Sequence, residues 1–434
     1  MSRISRLALL VAALAPALSA PALAQNDYGS VYSRFALGQR HDVSSSQADA
    51  MGVSGVALRS GLYNGLANPA HAGDQSLATF SASGLVRGVH ATDQTDASSD
   101  ATAGGLGFIQ LGIPLYSNKL GLTAAYQPYS RVDYRAAEEG MVDVDGDEPT
   151  PFRANLEGAG GLQRISLGLG GRITEGLLVG ASAETIIGSV ESLQRTEFLE
   201  STSAFFQTRE ATVTRLYGFT GTVGAVGTIF GLAGEEDAFT VAGSLTLPTT
   251  LHGSRAVTLG ESLNRDTLAT QDDGDVRIPL TARAGLAYQR NASLVVSADA
   301  LYEPWSQFES DFPFAGMGAD DTAPRLTDRV RVGGGFELTP GGSRRGASYF
   351  QRVNYRLGAY VENGFVRADG QDLLTRAITG GLSLPTRLGG TRIDIGGEIG
   401  TRGEASGVLV RDLFWRGALT LNFGERWFVR RRLN

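Results

Sequence analysis

The chain has 434 residues, 45 acidic against 38 basic side chains for a formal charge of −7, 58 Gly, 14 Pro and no Cys. Glycine stands at close to twice the roughly 7% of ordinary proteins, which argues against long helices as the main architecture. The missing Cys excludes disulfides, thiolate metal sites, cysteine nucleophiles and a lipidated N-terminal Cys. Lys119 is the sole lysine and no Gly-rich loop precedes it, so a phosphate-cradling P-loop is excluded as well.

At the start of the chain, Arg3 and Arg6 give a positive charge, Leu7 to Leu14 an apolar stretch, and Ala22-Leu23-Ala24 a small-residue cleavage site before Gln25. Residues 1–24 read as a cleaved signal peptide, so the chain is exported. Past it, no run approaches the ~18 apolar residues of a membrane-spanning helix. Residues 25–76 do not read as strand. They hold Tyr32-Ser33-Arg34-Phe35-Ala36-Leu37-Gly38, then Met51 to Ala57, and close on Asn68-Pro69-Ala70. Too apolar and too short for a separate soluble domain, the segment is expected inside a lumen as a plug.

From residue 77 the pattern is alternation with period two. Val330, Val332, Phe336 and Leu338 oppose Arg329, Arg331 and Glu337, and Ile393, Ile395 and Ile399 oppose Arg392, Asp394 and Glu398. Fourteen strands are expected near 77–88, 104–115, 119–134, 161–172, 176–195, 209–229, 238–257, 275–290, 293–304, 327–339, 353–366, 373–385, 391–402 and 412–428. Most reach the ~10 residues that a tilted strand needs to cross a bilayer, whereas strands of soluble proteins average nearer 5 to 6. Connections alternate in length. Ser117-Asn118, Ile173 to Glu175, Asn291-Ala292 and Thr386 to Gly390 are short, while 89–103, 135–160, 196–208, 258–274, 305–326 and 403–411 read as long polar loops. Outer-membrane barrels have short periplasmic turns, long external loops and an even strand number. The reading is an all-β, transmembrane antiparallel barrel over 77–428, closed because lipid offers no partners to edge amides. Tyr116, Tyr126, Tyr129, Tyr302, Trp305, Trp415, Trp427 and Phe428 are candidates for the aromatic girdles, and residues 429–434 form a basic tail.

Other motifs are bland. Asp143 to Glu148 suggests a calcium loop, but the Gly and Glu that an EF-hand needs at its sixth and twelfth positions are Glu148 and Ala154. It reads as part of a solvated acidic loop. His41, His71, His90 and His252 lack metal-ligand spacing, so neither a metal nor a cofactor is expected. The tail Arg430 to Arg432 is too short, in an acidic exported chain, to argue for nucleic acid.

A small-residue, Gly-rich segment closing on Asn68-Pro69-Ala70 before the first strand resembles the hatch of the FadL/TodX family of outer-membrane transporters. Tyr32-Ser33-Arg34-Phe35 and the ending Glu425 to Arg431 are similar to one FadL-like branch, though the chain runs six residues past Phe428. The resemblance implies a fourteen-stranded barrel plugged by its N-terminal hatch, passing hydrophobic compounds such as long-chain fatty acids or aromatics without an energy source. An elongated apolar pocket in a closed lumen would accompany that role. It also implies an inward kink of the third strand that opens a side window. Tyr126, Pro128 and Tyr129 are the candidates for it, since proline cannot donate to the ladder; alternatively Pro128 merely ends that strand at the outer rim. A carboxylate ligand would seek a lumen cation among Arg283, Arg329, Arg331, Arg356, Arg392 and Arg416, but these can equally pair with lumen acids such as Glu337, Glu362, Asp394 and Glu398 and hold hatch to wall. The expected partners are outer-membrane lipids and a hydrophobic small molecule, and such a barrel can act alone. A docking role in a secretion or assembly system is the alternative. A lipid hydrolase is a poor third, because only His252 falls on a strand near a serine.

Overall fold

The computed structural model describes residues 29–427 apart from 43, 143–149, 200–207, 233, 262–265, 318–323, 369, 389 and 406–408. The expected leader, the Asp143 to Glu148 motif, Phe428 and the 429–434 tail lie outside the described residues. Fourteen crossings form one closed antiparallel barrel. They are β1 (Ala78–Thr92), β2 (Ser98–Tyr116), β3 in two pieces (Leu120–Pro128 and Tyr134–Val142), β4 (Thr150–Thr174), β5 (Leu177–Phe198) and β6 (Thr208–Phe230). Next come β7 (Asp237–Thr246 and Thr249–Glu261), β8 (Asp266–Ile278 and Thr281–Arg290), β9 (Leu294–Glu303) and β10 (Arg329–Leu338). The last four are β11 (Asn354–Ala368), β12 (Gln371–Pro385), β13 (Arg392–Arg402) and β14 (Arg411–Glu425). Each pairs with its sequence neighbour, and β14 closes the ring on β1 from Ala78↔Glu425 to Thr92↔Arg411.

Alternation sets the two faces. On β10, Val332 is 54% exposed and Leu338 41%, while Arg329 is 2% exposed and Glu337 7%. The same inversion recurs around the ring, with Ile165, Leu167, Leu169, Val223, Leu286, Leu357, Ile378, Ile395 and Leu419 outside. In water such a surface would be a liability; toward lipid it is the favourable arrangement.

The external connections differ from the expected loops. Most of 89–103, 135–160 and 258–274 is strand, and β4 has 25 residues, β5 22 and β6 23. At ~3.3 Å per residue, β4 extends about 80 Å, far more than a crossing requires. These outer stretches carry polar side chains on both faces and so read as loop, yet in water their ladders need no apolar face to persist.

β3 is where the wall breaks. Its lower piece pairs with β2 and with β4 as far as Pro128↔Gln163, and the regular ladder to β4 resumes at Tyr134↔Gly158, with only the Tyr129 and Val132 N–H groups bonding the Leu162 and Gly160 carbonyls, at 2.8 and 3.0 Å, in between. Between them, Ser130–Arg131 leaves the wall and pairs with Gln39–Arg40 of the N-terminal segment. β4 accommodates the departure with Gly160 and Gly161 at φ of +97° and +127°, a backbone open to glycine and strained for other residues. No ladder joins β2 above Ile109 to β3 among the described residues.

The N-terminal segment runs through the bore from end to end. Near the external mouth the Val410 N–H donates to the Tyr32 hydroxyl at 2.9 Å. At the inner rim Arg172 of β4 bonds Asp74. Between them lies α1 (Ser46–Ala50), capped by Ser45, which accepts from the Ala48 N–H at 3.2 Å.

Candidate functional site

Three layers fill the lumen. At the outer end Tyr32, Phe35 and Leu37 of the N-terminal segment pack with Tyr129, Trp305, Phe308, Phe312 and Phe365. Tyr129 and Trp305 are therefore not girdle residues: they are 6% and 1% exposed, because one lies on the inward kink and the other starts a 3-10 turn (Trp305–Gln307) folded into the bore. Tyr116, Tyr126, Tyr302, Trp415 and Trp427 do face outward.

Below the aromatic layer lies a layer of charge. Arg329 donates to Glu303 at 3.0 Å and Glu362 at 2.7 Å, and also bonds Asp42 of the hatch. Arg40, also of the hatch, donates to Glu303 at 3.1 Å and to the Tyr129 carbonyl at 2.8 Å, with its guanidinium 3.5 Å from the Tyr129 ring centroid. Burial alone would raise the Asp42 pKa, but the Arg329 guanidinium holds that carboxyl well below the carboxylate range. His41 is pushed down to about 3 by burial, assisted by Arg416, and so is neutral. Arg416 bridges Asp49 of α1, at 2.5 Å, and Glu398. Arg331 lies 3.7 Å from the Tyr360 ring centroid and 4.0 Å from Asp42.

The third layer joins hatch to wall by close backbone approach. Arg356 donates to Glu337 at 2.6 Å, Asp394 at 3.1 Å and the Tyr63 hydroxyl at 2.8 Å. Asp299 accepts from the Ser54 and Gly55 N–H groups at 3.0 and 2.9 Å. A Cβ on Gly358 would collide with the Met51 carbonyl, so the wall can meet the hatch there only without a side chain. Asn68 is fully buried. It caps the 3-10 turn Pro69–Asp74 by accepting from the Ala70 N–H at 3.1 Å, and donates to the carbonyls of Ala225 and Gly243 at 3.1 and 3.2 Å. Arg283 is 8% exposed in the lumen, and Arg392, at the inner end, donates to Ser383 and Asn354. His252 is exposed, with Nδ1 2.7 Å from Asp275, and no serine bonds it among the described residues.

Beside the kink a cavity of about 130 Å³ separates hatch from wall, lined by Arg87, Arg131, Arg331, Arg402 and Arg416 with Asp49, Asp133 and Glu398. Leu85, Val89, Tyr360 and Phe414 also line it, so this cavity is mixed in character and is not the elongated apolar pocket expected. The Arg131 guanidinium points toward β2, its Nη2 about 3.1 Å from where a Cβ on Gly105 would stand. Its Nη1 is buried without a hydrogen-bond partner among the described residues. Sequence reasoning missed Arg40, Asp42, Asp49 and Arg131 because the hatch and the kink have no periodicity to give them a face. Glu303 and Asp299 were available from the alternation of β9.

The BamG family model matches residues 4–434. The chain belongs to the BamG family. No curated protein matches it. Among solved structures, this BamG-family barrel is similar to the CymD monoaromatic hydrocarbon channel, at 14% identity and a TM-score of 0.56 over 91% of this chain and 100% of that one. It is similar to the toluene transporter TbuX of Ralstonia pickettii at 16% identity and 0.55, covering 89% and 99%. A FadL homologue of Pseudomonas aeruginosa aligns at 10% identity and 0.54, covering 88% and 99%. At such identities the likeness shows the fold alone, a closed antiparallel barrel of the kind these channels have.

Proposed function

We propose that this barrel passes hydrophobic compounds across the outer membrane, taking them at the external mouth and releasing them sideways through the wall at β3. The observation that carries the reading is the inward bulge of residues 129–133, where Ser130–Arg131 pair with Gln39–Arg40 while Tyr129 and Val132 keep single backbone bonds to β4, which leaves β2 above Ile109 without a ladder to β3 among the described residues. A molecule that water will not dissolve gains nothing from an aqueous bore. A side exit returns it to hydrocarbon without crossing water. Tyr126, Pro128 and Tyr129 frame this exit, with Pro128 ending the lower ladder, and Asn68-Pro69-Ala70 anchors the hatch that must yield. Arg131 stands in the opening as the cation nearest a passing ligand. Arg329, Arg331, Arg356 and Arg416, by contrast, serve the hatch and its wall through their acids and rings. The likeness to channels described as carrying toluene and monoaromatic hydrocarbons supports this class of cargo. The test is uptake of toluene and of a long-chain fatty acid by cells in which this barrel is the sole such route. Pro128→Val should cut uptake several-fold by restoring the ladder, and unchanged uptake would remove the side exit.

A docking role in an outer-membrane assembly is the second reading, favoured by a bore packed from rim to rim and tied by buried ion pairs. Stoichiometric co-purification with a defined periplasmic or outer-membrane protein, together with absent uptake, would select it.

A further inference from the structure

The inner-rim turns are short except one. Residues 339–353, between β10 and β11, span fifteen positions where three (291–293) and six (386–391) close the neighbouring turns, and they are folded rather than slack. The Gly341 N–H donates to the Gln351 carbonyl at 2.6 Å, Gly342 to Thr339 at 2.9 Å, and Arg352 to Tyr349 at 3.0 Å. The turn presents Tyr349 and Phe350, 44% and 74% exposed, as an edge-to-face pair with centroids 5.7 Å apart. Around them stand Arg344, Arg345 and Arg352, all exposed, with no ion pair among the described residues. No acid occurs between 338 and 361, in a chain whose other arginines mostly face carboxylates.

One contact orients the turn. The Tyr355 hydroxyl donates to the Phe350 carbonyl at 3.2 Å, and Tyr355 shares the outward face of β11 with lipid-facing Leu357, opposite buried Arg356. The Phe350 backbone is thus held beside the outward face of β11 at the rim, and its ring is 74% exposed there. Aromatic rings favour the membrane interface, and a guanidinium fork matches phosphate.

We propose that this turn is a binding site for anionic phospholipid of the periplasmic leaflet, its arginines on the headgroup phosphate and the Tyr349–Phe350 pair at the acyl boundary. The site fixes the height and tilt of the barrel on the β10–β11 side, apart from any ligand passage.

The experiment titrates the whole protein in neutral detergent with phosphatidylglycerol and with phosphatidylcholine, counting bound lipids by native mass spectrometry. Phosphatidylglycerol should bind about tenfold more tightly, three arginines being able to supply at least that much near an anionic headgroup. The variant R344Q/R345Q/R352Q should abolish the difference, and Phe350→Ser should weaken both lipids. Heat-modifiable migration must stay unchanged, so that loss of the fold cannot mimic the result. Equal affinity for the two lipids, or a triple variant that keeps the preference, would overturn the proposal. So would competition by millimolar inorganic phosphate, which would make this a free-phosphate site, or a protein adduct in place of lipid from a photo-crosslinker at Phe350 in cells.

Discussion

Arg329→Ala tests whether buried charge holds the hatch shut. Arg329 is 2% exposed and meets three carboxylates, Asp42 from the hatch and Glu303 and Glu362 from the wall. After its removal Glu303 keeps Arg40 at 3.1 Å, while the one ion pair left to Asp42 among the described residues is the 4.0 Å approach of Arg331, with Arg40 acting on it at longer range. Removing one partner of a buried pair costs about 3–5 kcal/mol, since it leaves uncompensated buried charge. The loss falls on hatch seating and not on the barrel ladders, which do not involve this side chain. Hatch opening should therefore become about 10² to 10⁴ times more frequent. Hydrogen exchange at residues 39–58 should rise accordingly while the strand amides of β10 and β11 stay protected, and a planar bilayer should show intermittent conductance absent from the parent. Asp42→Asn in the same background should recover part of the loss, because it removes the stranded charge. If R329A exchanges its hatch amides at the parent rate and stays electrically silent, charge is not what closes the bore.

Gly358→Val should displace the hatch by forcing a side chain against the Met51 carbonyl, at a cost of about 1–3 kcal/mol or more, read as protease sensitivity near Met51. Asn68→Ala should cost about 1–3 kcal/mol of hatch stability by removing the buried amide's bonds to the Ala225 and Gly243 carbonyls and from the Ala70 N–H, read as faster exchange over 65–75 with barrel melting unchanged. Acid should loosen the hatch. Burial lowers the pKa of His41, to about 3, and of His71, so both bind protons more readily when the hatch is released. That stability is whole above the ordinary histidine value near 6.5 and falls as pH drops below it, by about 1–2 kcal/mol at pH 5 for His41. Exchange of the hatch should thus accelerate between pH 7 and pH 5, and His41→Asn should flatten the profile.

Much of the barrel was legible because lipid enforces a simple code. A residue facing hydrocarbon must be apolar and its neighbours face the bore, so Val330/Arg329 or Ile395/Asp394 declares a strand, its faces and its approximate length. The outer halves of β4, β5 and β6 escaped, since both their faces meet water and polar alternation resembles a loop. Asn68-Pro69-Ala70 was legible as a motif, but nothing in it says that Asn68 caps a turn while holding two wall carbonyls.

What the chain's own pattern determined is the closed, inverted cylinder, because period two and the solvent on each face are local properties. Only the tertiary structure decided how the bore is filled. Tyr129 and Trp305 turn inward, Arg40 and Asp42 meet Glu303 and Arg329 across about 260 to 290 residues of sequence, and Arg356 and Arg416 tie the N-terminal segment to the wall. Such pairings depend on where a nonperiodic segment comes to rest, and that is fixed by the sum of many weak contacts and not by any one stretch of the chain.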